Sequence, residues 1–235
     1  TYFDPAEIEG IALYPQTTGG DKLQFKKNGD AWQIIDGQIT ASADAAAITR
    51  LLNELQGLAP QRLASKKPEN WDNYGVSDSS ATRVVLTQAG GAEVLDLYVG
   101  RFNYQQPAGG MNQFGGNQGI SGSTYVRLGG ENKVYTTDGF LSMSVNQGMN
   151  AWRNAEFLNL DKGSVAELDF RYPNGRGFSL TKLPEGWMLD GTPADSLAVD
   201  RYLNRLVSRQ ERNFADGFQP QGLPVYTLQI SGANM

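Results

Sequence analysis

The feature that most constrains this chain is that it says nearly the same thing twice. "WQIIDGQITASADAAAITRLLNEL" (32–55) is echoed far downstream by "WMLDGTPADSLAVDRYLNRL" (187–206). With Asp44 set against Asp195, both read D-x-x-A-[IV]-x-R-x-L-N-x-L. Asp, Ala47/Ala198, Arg50/Arg201, Leu52/Leu203, Asn53/Asn204 and Leu55/Leu206 are identical. Apolar residues recur at i, i+3, i+4 and i+7: Ile48, Leu51, Leu52, Leu55 and then Val199, Tyr202, Leu203, Leu206. That period predicts two amphipathic helices, each burying one stripe on a sheet. Asp44 and Asp195 stand where an N-cap carboxylate accepts the first free backbone N–H groups. Gly57 is the expected stop of the first helix.

The echo extends upstream. "LQFKKNGDAWQII" and "FSLTKLPEGWMLD" both read strand, turn, strand, with Lys27 and Trp32 in register with Lys182 and Trp187. One strand earlier "IEGIAL" (8–13) answers "VAELDF" (165–170), and after the helix "YGVSDSSATRVVLTQ" (74–88) answers "QGLPVYTLQI" (221–230). The expectation is an α+β fold, a tandem duplication of a β-β-β-α-β-β unit. Its sheets are mostly antiparallel, and each is covered by one helix. The two tryptophans and the leucine stripes read as core. The first copy continues into three more strand candidates, "AEVLDLYVGR", "STYVRLGG" and "NKVYTTDG". The second ends on "LQISGANM" with no partner strand after it, so either the native chain runs past Met235 or the second unit is a shorter copy. The units expected are 1–149, with an extra hairpin, and 150–235.

Two segments have no echo. "RFNYQQPAGGMNQFGGNQGISGST" (101–124) is rich in Gly, Asn and Gln and joins two strand candidates, which makes it a long exposed hairpin loop. No Lys follows its glycines, so it is not a P-loop. Tyr104, Met111 and Phe114 are the sticky residues that would make it a partner-binding loop. In "DGFLSMSVNQGMNAWRNAEFLNLD" (138–161), Phe140, Leu141, Met143 and Val145 form a short helix, and Trp152 is expected to be buried between the units.

The chemistry is bounded by absences. There is no His and no Cys among 235 residues. This removes histidine-based triads and every His- or Cys-ligated metal site. No catalytic, cofactor-binding or metal-ligating residue is singled out, no cofactor is implied, and the chain reads as a non-enzyme. A net charge of −5 disfavours nucleic acid. No apolar run approaches the roughly 18 residues of a membrane span. The chain begins with Thr1 rather than Met, which implies an upstream segment removed by processing or design. "WDNYG" (71–75) either lines a sugar site, with Trp71 and Tyr74 as stacking faces, or is a capped turn.

The order of these landmarks, a Trp hairpin, the D-x-x-A-V-x-R-x-L-N-x-L helix, "YGV" (74–76), "YVR" (125–127) and "WRN" (152–154), resembles the bacterial family called domain of unknown function 4340. The resemblance spans about Leu23 to Ile230. It implies a protein held to the cytoplasmic membrane by an N-terminal helix that this chain lacks, with its body in the periplasm. It also implies partnership with ABC-type transporter subunits of the gliding-motility auxiliary kind. The family supplies no catalytic residues, and the loop at 101–124 is longer than its pattern. The function expected is a non-enzymatic extracytoplasmic interaction module, an accessory to a transport or envelope complex. The alternative is a polysaccharide- or peptide-binding module using Tyr104, Phe114, Trp71 and Tyr74.

Overall fold

The computed structural model describes residues 3–105 and 121–233. The chain divides into two compact units, Thr1–Asn154 and Ala155–Met235.

In the first unit, β1 (Ile8–Tyr14), β2 (Leu23–Asn28), β3 (Ala31–Asp36) and β4 (Ile39–Ser42) precede α1 (Ala45–Gln56). There follow β5 (Arg62–Ser65), the one-turn α2 (Trp71–Tyr74), β6 (Thr82–Gln88), β7 (Glu93–Gln105), β8 (Ser121–Leu128), β9 (Val134–Asp138) and α3 (Leu141–Val145). The nine strands form one sheet in the order β4-β3-β2-β1-β6-β7-β8-β9-β5. Every neighbouring pair runs antiparallel. Alternation along β1, β2, β6 and β7 sends Ile11, Leu13, Leu23, Phe25, Val84, Leu86, Leu95, Leu97 and Val99 into one core. The stripe Ile48, Leu51, Leu52 and Leu55 of α1 packs there too. Asp44 caps α1, accepting from Ala46 N at 2.9 Å and Ala47 N at 3.1 Å. Gly57 ends it in right-handed rather than left-handed geometry, donating its N–H to the Asn53 carbonyl.

The second unit contains β10 (Glu156–Asn159), β11 (Val165–Arg171), β12 (Gly177–Leu183), β13 (Gly186–Leu189) and β14 (Thr192–Pro193), then α4 (Ser196–Leu206), β15 (Ser208–Gln210) and β16 (Thr227–Gly232). A five-stranded sheet runs β14-β13-β12-β11-β16, and β10 pairs with β15. Asp195 caps α4 through Leu197 N at 2.9 Å and Ala198 N at 3.1 Å. Val165, Leu168, Leu180, Trp187, Val199 and Leu203 form the core. Beside it the rings of Tyr172, Phe178, Phe170 and Tyr202 follow one another at centroid distances of 6.0, 4.4 and 5.6 Å.

The α+β class and the antiparallel sheets are as expected; several finer readings are corrected. Within the sheet that each packs on, α1 and α4 are preceded by four strands, not three, because short β4 and β14 lie inside stretches that read as turns. Tyr202 is exposed over more than a third of its surface and Leu206 is only half-buried, so α4 buries a narrower stripe than its period suggests. Residues 221–226 are not strand, and β16 begins at Thr227. The two ends of the expected loop are hairpin arm: β7 and β8 pair through Phe102↔Thr124, Asn103↔Ser123, Tyr104↔Gly122 and Gln105↔Ser121. Alternation in Arg101-Phe102-Asn103-Tyr104 announces the first arm, and backbone pairing carries the second, where none does. Met111 and Phe114 lie outside the described residues. Trp152 is buried in the core of the first unit, edge-on to Phe25 at 5.6 Å, rather than between units. Backbone contacts draw its segment inward: Ala43 bridges Arg153, Asn154 N donates to Ser42 O, and Asp44 N donates to Trp152 O. The same contacts carry the first unit on to Asn154, five residues past the expected boundary at 149.

Candidate functional site

The most organised polar construction in the first unit lies on the sheet face turned away from α1. The ladder sets Tyr14 opposite Arg83, Arg83 opposite Tyr98 and Tyr98 opposite Arg127, across β1, β6, β7 and β8. Aromatic and cationic side chains thus alternate along one row. The Arg83 guanidinium lies 5.8 Å from the Tyr14 ring centre and 5.4 Å from that of Tyr98. It also grips Asp96 with two hydrogen bonds of 2.8 and 3.0 Å. Arg127 sits between two rings, 3.8 Å from Tyr98 and 3.8 Å from Trp71. Such stacking suits the planar guanidinium, whose donors stay free for in-plane partners. Those partners are the Val76 carbonyl, 3.0 Å from Nε, and Asp78 Oδ1 at 3.0 Å. Burial pushes the Tyr98 phenol above its usual range, with Arg83 pulling the other way.

Trp71 and Tyr74 are brought together here, both half-buried, as the lid of this row. The Trp71 indole N–H donates to Asn132 O at 3.1 Å, and the Tyr74 hydroxyl donates to Ala64 O at 3.3 Å. Tyr74 packs on Tyr125 at 4.7 Å. One face of Trp71 is therefore occupied by Arg127, and "WDNYG" is a capped turn whose rings bind the protein's own residues. Tyr104 stands apart near the end of β7, 55 % exposed.

The turn after Tyr74 explains two glycines. Gly75 holds φ +67° and ends α2, and the stem of Arg101 lies across it. Gly100 faces it from the irregular step in the β7–β8 register, and a Cβ there would meet Tyr74 O at 2.3 Å. Beside this junction opens a cleft of about 730 Å³, bounded by Gly75, Thr82, Arg101, Phe102 and the α3 region.

The second unit has a feature that the sequence reading missed. Between β15 and β16 the chain carries Phe218, Leu223, Val225 and Tyr226, exposed by 70, 93, 62 and 68 %. Leu197 on α4 and Phe157 on β10 are similarly bare. The signal was present in "GFQPQGLPVY" (217–226), where apolar residues fall among Gly, Pro and Gln with neither helical nor strand period. Among the described residues no group of three or more Asp or Glu side chains is placed to hold a metal ion. No helix among them is long and apolar enough to cross a membrane.

These features define a two-unit α+β protein of antiparallel sheets, each packed by an Asp-capped helix, with its buried arginine used to clamp the fold. The chain belongs to the family described as Domain of unknown function (DUF4340), whose model matches residues 32–229. No curated protein and no solved structure matches it. The landmarks of the resemblance now have physical roles. "YGV" and "YVR" are two halves of the arginine clamp, and "WRN" is the segment that fastens the start of α1.

Proposed function

We propose that this chain is a non-enzymatic extracytoplasmic interaction module, an accessory component of a membrane ABC-type transport or envelope complex. The observation that carries the reading is the bare apolar surface at Phe218, Leu223, Val225 and Tyr226. Apolar side chains gathered this densely and left in water mark surfaces that a partner covers. The periplasmic setting, the N-terminal anchor and the transporter partner rest on the family resemblance alone.

The two units read best as tandem copies. Supporting this, the two sheets place their strands in corresponding order, β4-β3-β2-β1-β6 around β1 and α1 against β14-β13-β12-β11-β16 around β11 and α4. Lys27 faces Trp32 as Lys182 faces Trp187. Arg50 and Arg201, and likewise Asn53 and Asn204, are exposed, so packing does not account for their recurrence.

The test is site-specific photocrosslinking in native membranes from Leu223 and Tyr226, with a probe at the exposed Lys66 of the first unit as control. Crosslinks to permease subunits from 223 and 226 but not from 66 support the reading. Equal labelling from all three positions, or none from 223 and 226, overturns it.

A further inference from the structure

The cleft beside Gly75 is chemically one-sided. Among the described residues that line it, Arg101 is the one charged side chain, and no carboxylate does so, in a chain with 25 Asp and Glu residues. Asp78, next along the chain from the lining Ser79, is drawn to Arg127 at 3.0 Å. Arg101 itself is exposed and has no hydrogen bond or ion pair among the described residues. Its stem is held over the Gly75 turn, where a Cβ would lie 2.9 Å from Cγ. The cation is thus positioned by packing and carries no structural partner among the described residues.

The rest of the polar wall is made of neutral groups, three of them fixed by backbone contacts. Gln16 donates through Nε2 to Ala81 O at 2.8 Å, which leaves its carbonyl as an acceptor. Asn146 accepts through Oδ1 from Thr17 N at 3.0 Å, which leaves its NH₂ as a donor. Gln147 donates to Met143 O at 2.7 Å and again keeps a carbonyl. Thr82 and Ser142 add hydroxyls. A wall that offers both donors and acceptors suits ligand hydroxyl groups, each of which both donates and accepts. An anion without hydroxyl groups, such as sulfate, only accepts and would give the carbonyls no donor, and hydrogen phosphate offers at most two. The guanidinium adds a fork that matches a carboxylate. The volume, about 730 Å³, is within the range of small-molecule sites.

We infer that this cleft is a binding site for a sugar acid, a hexuronate or a short glycan carrying one, with its carboxylate on Arg101 and its hydroxyls on the amide and hydroxyl wall. The site belongs to the first unit and is independent of the apolar surface of the second.

The experiment is isothermal titration of the chain with glucuronate, galacturonate, glucose, glucose 6-phosphate and inorganic phosphate, repeated with Arg101→Met and Arg101→Lys. Methionine keeps the stem over Gly75 and removes the charge, and a thermal melt confirms that each variant folds. At least one hexuronate should bind about tenfold or more tighter than glucose. Arg101→Met should abolish that preference, and Arg101→Lys should keep part of it. Amide resonances of Thr82, Ser142 and Gln147 should shift on titration in the unsubstituted chain. Absence of hexuronate binding overturns the inference. So does a response undiminished in Arg101→Met, or phosphate or glucose 6-phosphate binding at least as tightly as the best hexuronate.

Discussion

Arg127 donates its Nε to the carbonyl of Val76 at 3.0 Å, across 51 residues of sequence, and thereby locks the turn after α2 onto β8. Arg127 is 3 % exposed, with a tyrosine ring and a tryptophan ring each 3.8 Å from its guanidinium. A buried cation is tolerable only when its desolvation is offset, and here two ring quadrupoles, a carbonyl and a carboxylate share that task.

Arg127→Lys should therefore be far from conservative. An ammonium cannot stack between both rings and still reach Val76 and Asp78, so we expect a loss of about 2 kcal/mol or more in urea unfolding. Asp78→Ala should cost about 1 kcal/mol or less, because that carboxylate is 80 % exposed and screened by water. Equal costs for the two substitutions would show that the ion pair, not the stack and the carbonyl, holds Arg127.

Glycine substitutions should rank by what the new methyl group meets. Gly100→Ala drives a Cβ into the Tyr74 carbonyl and should destabilise by about 2–3 kcal/mol. Gly130→Ala, at φ +75° with open space around it, should cost about 1–2 kcal/mol for the left-handed backbone alone. Thermal melts of the two variants decide the order.

Removing either N-cap should weaken its own helix. Asp44→Ala and Asp195→Ala should each cost about 1 kcal/mol, while Asn at either position retains most of the capping. Hydrogen exchange resolves the outcome by position: faster exchange in the first turn of α1 for one variant and of α4 for the other. Accelerated exchange in both helices from a single substitution would count against this reading.

The Trp152 indole N–H is buried without a hydrogen-bond partner among the described residues. Trp152→Phe removes that unsatisfied donor while keeping a ring against Phe25, so it should cost about 1–2 kcal/mol, against about 3–5 for Trp152→Ala. A phenylalanine variant as unstable as the alanine one would mean that the donor is satisfied after all.

Acid should loosen the second unit through Asp161 and Asp200. The Ser164 hydroxyl, then the Gly163 N–H, hold the Asp161 carboxyl below its usual range; a hydrogen bond from Lys162 does the same for Asp200. Both folded-state values are depressed, so the stabilisation is complete above the unfolded carboxylate range, about pH 4, and is lost as pH falls through the lower folded values. Denaturation midpoints between pH 6 and 2 should fall less steeply in Asp161→Asn than in the unsubstituted chain.

Sequence by itself determined the elements whose cause is local. Period 3.6 over Ile48–Leu55, a carboxylate at Asp44 and at Asp195, and alternation broken by Gly29 were enough to place α1, α4 and the strands around Trp32 and Trp187. The repeated pattern also announced two units. Hidden from it was everything that depends on backbone pairing or on distance along the chain. Short β4 and β14 have no side-chain period of their own and exist because a neighbouring strand offers hydrogen bonds. The arms of the β7–β8 hairpin extend through Gln105 and Ser121 for the same reason. Trp71 and Tyr74 were legible as aromatics, but only the tertiary structure turned them inward, Trp71 onto Arg127 and Tyr74 onto Tyr125, both remote in sequence. The cleft at Arg101 and the bare strip at Phe218–Tyr226 were likewise decided in three dimensions. A sequence records which side chains are apolar or charged, while their neighbours, and hence their exposure, are set by the packing of the whole sheet.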